Sequence, residues 1–273
     1  MSIRILTVQD ISCVGQCSLT VALPLLSACG VETCVLPSAV LSTHTGGFEG
    51  FTFRDLTEDM PAVLAHWQKE GITFDAFYTG YLGNARQIEH VCAVMDGAGR
   101  PDALRIVDPA MADRGVLYAG FDAAYVDAMR VLCRRADVLL PNVTEACLLT
   151  DTPYREVCDT AFAEELLEKM AVFGADTVVL TGVSYEDDRL GVAVWHGGTV
   201  THYAHRRLQG GLHGTGDVYA SAFTGALLRG KTPSDAARIA ADFTVCCIEN
   251  TPADHWYGVC FEPLLPELIA AVQ

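Results

Sequence analysis

Basic residues are scarce in this chain of 273 residues: 18 Lys and Arg stand against 34 Asp and Glu, a formal net charge of −16. That balance argues against a nucleic-acid-binding surface, which needs clustered positive charge to meet phosphates. Long apolar runs are missing as well. No segment approaches roughly 18 consecutive apolar residues, so no membrane-spanning helix is expected. The opening Met-Ser-Ile-Arg-Ile-Leu-Thr-Val-Gln-Asp has neither the basic nor the long apolar region of a secretory leader, and a cytoplasmic protein is expected. The 11 cysteines include no Cys-x-x-Cys pair; Cys13/Cys17 and Cys246/Cys247 are the close sets, and neither fits a zinc pattern. The lack of a disulfide framework agrees with a reducing compartment. Most of these cysteines lie in apolar stretches and read as small buried hydrophobes.

Three motifs that carry chemistry are absent. Without Gly-x-x-x-x-Gly-Lys-Ser/Thr the chain is not a P-loop enzyme. The lack of Gly-x-Gly-x-x-Gly after the first strand weighs against dinucleotide binding. Without Gly-x-Ser-x-Gly an α/β-hydrolase is disfavoured.

What is present is apolar material for a large core, 51% of residues, arranged as alternating strands and helices. Strand-like runs are Ile3–Val8, Val31–Leu36, Ala76–Thr79, Leu104–Val107, Val138–Leu140 and Thr177–Thr181. Helical spacing marks Gln16–Cys29, Asp59–Glu70, Ala85–Met95, Asp122–Arg134, Phe162–Phe173, Thr215–Leu228, Pro233–Ile248 and Pro263–Val272. Asp59 is a candidate N-cap with Pro61 in the first turn. Gly191–Trp195 and Thr199–Tyr203 flank Gly197-Gly198, a hairpin signal. Ser38–Asp55 is polar and without helical period. This alternation predicts a mainly parallel sheet covered on both faces. No linker divides the chain, so residues 1–273 are expected to form one domain.

In an open parallel sheet, ligands bind at the carboxyl ends of the strands. Those positions hold Asp10-Ile11-Ser12, Thr43-His44-Thr45, Gly80-Tyr81, Asp108-Pro109, Asn142-Val143-Thr144-Glu145, Thr181-Gly182 and the run Gly210-Gly211-Leu212-His213-Gly214-Thr215-Gly216-Asp217. In that run, glycines let backbone approach a ligand, and the N–H groups of the following helix can bind phosphate. Asp217 then sits where a base would remove a hydroxyl proton beside a phosphoryl group; the alternative is a plain helix N-cap. Glu145 suits a hydrated magnesium ion and Asn142 a phosphate; the alternative is a capping box. Asp108 and Asp113 place two acids near one edge, or are turn residues. His44 is either a ligand contact or a satisfied loop histidine.

In combination these segments resemble the pyridoxal/pyridoxamine/pyridoxine (vitamin B6) kinases of the ribokinase superfamily, over essentially the whole chain. The likeness rests on Leu41-Ser42-Thr43-His44-Thr45-Gly46, Thr79-Gly80-Tyr81-Leu82-Gly83, Val107-Asp108-Pro109-Ala110-Met111-Ala112-Asp113, Pro141-Asn142-Val143-Thr144-Glu145-Ala146 and Gly214-Thr215-Gly216-Asp217. Ala110 and Ala112 depart from the family's Asp-Pro-Val-Met-Gly-Asp. The resemblance implies a ribokinase-like three-layer α/β/α sandwich and ATP-dependent phosphorylation of a 5′-hydroxymethyl group. It implies Asp217 as base and Gly214, Thr215 and Gly216 as a γ-phosphate hole. Asp108, Asn142 and Glu145 would serve metal and phosphates, with Asp113 and Thr181 near the phosphates and Thr45 and Tyr81 lining the vitamin pocket, where His44 also belongs. Magnesium is the expected metal, potassium a candidate monovalent cation, and a homodimer the expected assembly. Many family members carry Gln-Ser-His after the first strand; here Gln9-Asp10-Ile11-Ser12 stands there, so either Asp10 or Ser12 takes the serine's place by the pyridine. Asp10 could favour a cationic amine, or cap the following helix. The same stretch resembles the hydroxymethylpyrimidine kinases of thiamine synthesis, the nearest rival. A non-catalytic binder on the same fold is the rival of another class.

Overall fold

Nine strands form one sheet in the order β11-β10-β9-β8-β5-β4-β1-β2-β3 in a computed structural model that describes residues 3–208 and 212–273. Gly210 and Gly211 of the glycine run lie outside the described residues. In chain order the strands are β1 (Arg4–Ser12), β2 (Glu32–Leu41), β3 (Phe53–Asp55), β4 (Phe74–Thr79), β5 (Gly99–Val107), β6 (Ala112–Asp113), β7 (Val116–Leu117), β8 (Val138–Leu139), β9 (Thr177–Glu186), β10 (Arg189–His196) and β11 (Thr199–Arg206). The α-helices are α1 (Leu19–Ala28), α2 (Met60–Lys69), α3 (Ala85–Ala98), α4 (Ala123–Cys133), α5 (Val143–Leu149), α6 (Thr160–Met170), α7 (Thr215–Leu228), α8 (Pro233–Asn250) and α9 (Leu265–Val272).

The six central strands, β9 to β2, pair in parallel; β3, β10 and β11 are antiparallel additions at the edges. The central strands are apolar on both faces because helices cover both. Ile5, Ala76, Tyr78 and Ile106 pack with Val218, Phe223 and Ala240 of α7 and α8. Leu6, Val8, Phe77 and Val107 pack with Ile88, Met129 and Leu166 of α3, α4 and α6. This is the ribokinase-like α/β/α arrangement. Among the described residues no helix is long and apolar enough to cross a membrane.

The strand order turns the chain back at β1, which has β2 on one side and β4 on the other. Ligand crevices of open parallel sheets form at such a switch point, beyond the carboxyl ends; here those ends carry Asp10, Ser12 and Thr79-Gly80-Tyr81.

Several boundaries differ from the sequence expectation. α1 starts at Leu19, because residues 13–18 form a loop whose Gly15 and Cys17 carbonyls accept the hydroxyl of Thr20 in α1. Asp59 occupies the N-cap position of α2 but makes no side-chain cap bond. The polar stretch 38–55 contains the end of β2 and all of β3, which pair through Ala39 and Asp55. The β6–β7 hairpin and α5 carry too few residues to show a period. The Gly197-Gly198 hairpin forms as expected between β10 and β11, and the last helix opens with a 3-10 turn, Glu262–Leu264.

Candidate active site

Asp217 is the third residue of α7, so it is not the helix cap; that position belongs to Gly214, at φ 81°. A Cβ on Gly214 would stand 1.8 Å from the Gln16 carbonyl oxygen, so only glycine lets the loop after β1 close on the start of α7. Gly216 faces open space instead. The first-turn N–H groups of α7 have no partner within the helix and point, with the positive end of the helix dipole, toward the crevice. Asp217 is half-buried. Burial pushes its carboxyl up to about 7; the Ser18 backbone N–H works against that rise, and Asp10 adds to it. A carboxyl held near neutrality is poised to accept a proton.

Asp10 lies within β1, where the register against β2 shifts between Gln9 and Ile11. It is therefore no helix cap. It is 5% exposed and accepts the Ser12 hydroxyl at 3.0 Å, so Asp10 and Ser12 are held side by side at the end of the strand. Burial raises the Asp10 carboxyl, opposed by the hydroxyls of Ser18 and Ser12. Tyr81 is near enough to Asp10 for that charge to add to the rise of its phenol, which burial dominates. The Tyr81 ring stacks on Phe121 at 5.5 Å, and Phe121 on Tyr125 at 3.7 Å.

His44 is buried with both ring nitrogens engaged. Nδ1 accepts the Gly46 N–H at 3.0 Å, so Nε2 carries the hydrogen and donates to the Tyr257 carbonyl at 2.7 Å. It organises the loop, which favours the satisfied-histidine alternative over a direct ligand contact. Thr45, next to it, is exposed. Phe48 meets Trp256 at 4.7 Å, which brings the segment near residue 256 over this loop.

On the phosphate side, Asn142 and Thr181 are joined by a β-bridge and line a cleft of about 100 Å³ with Asp113, Arg114, Thr144 and Gly182. Asp113 is exposed beside the Arg114 backbone N–H, at 2.8 Å. Asn142 and Glu145 form a true capping box: Oδ1 of Asn142 accepts the Glu145 N–H at 3.0 Å, and Glu145 Oε2 accepts the Asn142 N–H at 2.9 Å. Glu145 Oε1 accepts the Met111 N–H at 3.1 Å. Asp108 follows β5. Its carboxyl is driven well up by burial, then by Glu145 and Asp217; Glu145 is likewise raised by burial, against three backbone N–H groups. Two crowded acids without a basic partner, Glu145 buried and Asp108 half-buried, suit a hard cation. Among the described residues no three His, Cys, Asp or Glu side chains converge as a cage.

Sequence inspection missed Ser18, Gln16 and the Tyr257 carbonyl. Gln16 Oε1 accepts from His255 Nε2 at 2.9 Å, a contact across 239 residues with no local signal. Ser18 reads as an ordinary N-cap. Tyr78 was also missed: its hydroxyl is fully buried and unpartnered, close to Ser221 and Gln9, below the crevice floor. Of the 11 free cysteines only Cys13 is exposed.

The phosphomethylpyrimidine kinase family model matches residues 23–258. The hydroxymethylpyrimidine/phosphomethylpyrimidine kinase of Bacillus subtilis is 31% identical over 219 residues, 78% of this chain and 77% of the relative. The pyridoxine/pyridoxal/pyridoxamine kinase of Bordetella bronchiseptica is 30% identical over 272 residues, 92% of this chain and 90% of the relative. Among solved structures, a phosphomethylpyrimidine kinase-type protein of Bacteroides thetaiotaomicron crystallised with pyridoxal superimposes with a TM-score of 0.92 at 36% identity, covering 98% of this chain and 96% of that one. Pyridoxal kinase from Lactobacillus plantarum gives 0.91 at 35%, covering 98% and 97%. These matches set aside the non-catalytic alternative, and the chain belongs to the phosphomethylpyrimidine kinase family as an ATP-dependent small-molecule kinase of the vitamin B6 and hydroxymethylpyrimidine type.

Proposed function

We propose that the chain transfers the γ-phosphoryl group of ATP to the 5′-hydroxymethyl group of pyridoxal, pyridoxamine or pyridoxine. The observation that carries this reading is Asp217, with a carboxyl near neutrality in the first turn of α7, at the edge of a crevice that Asp10, Ser12 and Tyr81 also line. The vitamin's ring lies against Tyr81, and its hydroxymethyl group reaches Asp217. Asp217 takes the hydroxyl proton as the oxygen attacks phosphorus. The N–H groups of Gly214, Thr215 and Gly216 hold the transferred phosphoryl oxygens, so positioning and charge stabilisation supply most of the rate. Asn142, Thr181 and Asp113 hold the remaining phosphates, and His44 shapes the loop that carries Thr45 over the vitamin. Asp108 and Glu145 would hold magnesium, largely through water, and the ion would supply charge neutralisation between phosphate groups. Potassium remains the candidate second cation, tested by turnover in potassium against sodium salts.

A second acceptor, hydroxymethylpyrimidine, is supported by the Bacillus subtilis relative. Side-by-side phosphorylation of the three B6 vitamers and hydroxymethylpyrimidine separates the two: the proposal expects the highest kcat/KM on a B6 vitamer. It also takes residues 1–273 as one cytoplasmic kinase domain and the assembly as a homodimer, which sedimentation of the 29.4 kDa chain tests.

A further inference from the structure

The charged residues in the wall of the cleft beside Asn142 and Thr181 are Asp113, Arg114 and Glu156. Two of them are acids, so Arg114 is the one basic group of that wall among the described residues. In a chain of net charge −16, a polyanion entering this cleft meets positive charge at Arg114 and at whatever metal it brings.

The backbone that carries Arg114 is fixed. Arg114 and Gly115 form the turn of the β6–β7 hairpin, whose pairs are Ala112 with Leu117 and Asp113 with Val116. The Gly115 N–H donates to the Thr144 hydroxyl at 3.0 Å, and the Asn142 side-chain amide donates to the Ala112 carbonyl at 2.8 Å. The Tyr154 ring lies against Gly115, where a Cβ would stand 2.8 Å from it. The tip is thereby held at the start of α5, whose N-cap is Asn142. The side chain of Arg114, by contrast, is 79% exposed, and its Nε lies 3.7 Å from Asp113 Oδ2. That is too long for a hydrogen bond, and an exposed pair of this kind is worth little. Burial, then the charges of His44 and Arg114, hold the His213 imidazole below its ordinary value. His213 precedes Gly214, so the Arg114 charge is felt beside the proposed phosphate hole. The turn itself gives no reason for an arginine: Arg114 and Gly115 both have positive φ, 50° and 79°, for which Asn-Gly and Asp-Gly are the favoured pairs.

We propose that Arg114 is a recognition residue for the terminal phosphates of the nucleotide: its guanidinium reaches over the cleft and pairs with the β- and γ-phosphate oxygens, so that the site prefers a triphosphate to a monophosphate. A planar guanidinium meets two phosphate oxygens at once, a stronger arrangement than the loose contact with Asp113. Asn142 and Thr181 hold the phosphates from the sheet side, and Arg114 closes on them from the hairpin. The inference rests on the kinase reading above and adds to it the residue that counts phosphates.

The test uses the full chain with magnesium, comparing wild type, Arg114→Gln, Arg114→Asn and Arg114→Lys. Calorimetry gives the dissociation constants of ATP, ADP and AMP; Tm is measured without nucleotide, and kcat and KM with pyridoxal. Arg114→Gln should weaken ATP about tenfold, the scale of a lost hydrogen bond to a charged group, and leave AMP within about twofold. Its Tm should stay within about 2 °C, as for most exposed substitutions. Arg114→Asn suits the turn and should match or exceed the wild-type Tm while losing ATP to the same degree. Arg114→Lys keeps the charge without the fork and should recover part of the ATP affinity. ATP affinity unchanged in Arg114→Gln overturns the proposal. So does an equal loss for ATP and AMP, and so does a loss that comes only with a lowered Tm, which makes the residue a part of the turn and no more. A wild type that binds no ATP and phosphorylates no acceptor removes the kinase reading and this proposal with it. An active wild type beside an Arg114→Gln of normal ATP affinity removes this proposal alone.

Discussion

Asn142 and Glu145 exchange hydrogen bonds, backbone N–H to side chain in both directions, at 2.9 and 3.0 Å. The same carboxylate therefore caps α5 and faces Asp108. Capping does not exclude the proposed metal role, because three backbone N–H groups leave one of the carboxylate's four lone-pair positions open.

Glu145→Gln tests that double role. One amide group of Gln must face a backbone N–H, so the capping box weakens and stability falls by about 1 kcal/mol. The loss of charge should also raise the magnesium concentration for half-maximal activity more than it raises the vitamin's KM. Magnesium titrations of both forms decide it; superimposable curves remove Glu145 from the metal's surroundings.

The two glycines of the proposed phosphate hole should fail differently. Gly214→Ala forces a Cβ into the Gln16 carbonyl at positive φ, so Tm and activity fall together. Gly216→Val meets open space and should leave Tm within a few degrees while abolishing turnover, because its side chain occupies the phosphate's approach. Activity retained in Gly216→Val would make this segment a helix start only.

Asp217 makes stability depend on pH with a definite sign. Its folded value of about 7 lies above the ordinary 3.8, so the fold binds the proton more tightly than the unfolded chain. The contribution is fully present below about 4 and is lost as pH rises through 7. Asp217→Asn escapes that loss. Its Tm advantage over wild type, measured without ligands, should grow between pH 5 and pH 8, by about 1–3 kcal/mol in stability after allowing for partial exposure. A constant difference would contradict the displaced carboxyl.

Asp10 tests vitamer choice. A buried carboxylate favours the protonated 4′-amine of pyridoxamine over the aldehyde of pyridoxal by about 1–2 kcal/mol, or about tenfold. In Asp10→Ser the ratio of kcat/KM for pyridoxamine over pyridoxal should fall several-fold. An unchanged ratio removes Asp10 from selection and leaves the kinase assignment intact.

The alternation of apolar strands and helices made the layered sheet legible, since parallel strands covered on both faces leave continuous apolar runs. Asn142 and Glu145 stood out because they follow the apolar run Val138–Leu140, and Asp217 because it follows a glycine run at a helix start; their roles are the proposal made above. The short α5 and β6–β7 were not, having too few residues for a period. Ser18 was hidden for a different reason. Its serine is common at helix starts, and only its dihedral angles show that the usual bond is absent. The contacts of His44 with Tyr257 and of Gln16 with His255 join segments more than 200 residues apart, which no local pattern encodes.

The most direct measurement is single-turnover phosphoryl transfer from ATP to pyridoxal by Asp217→Asn, with ATP binding measured in parallel. With Asp217 as the base, transfer falls by about 10²–10⁴-fold while ATP affinity and the fold persist. Transfer at a near wild-type rate in a folded, ATP-binding variant would contradict the account.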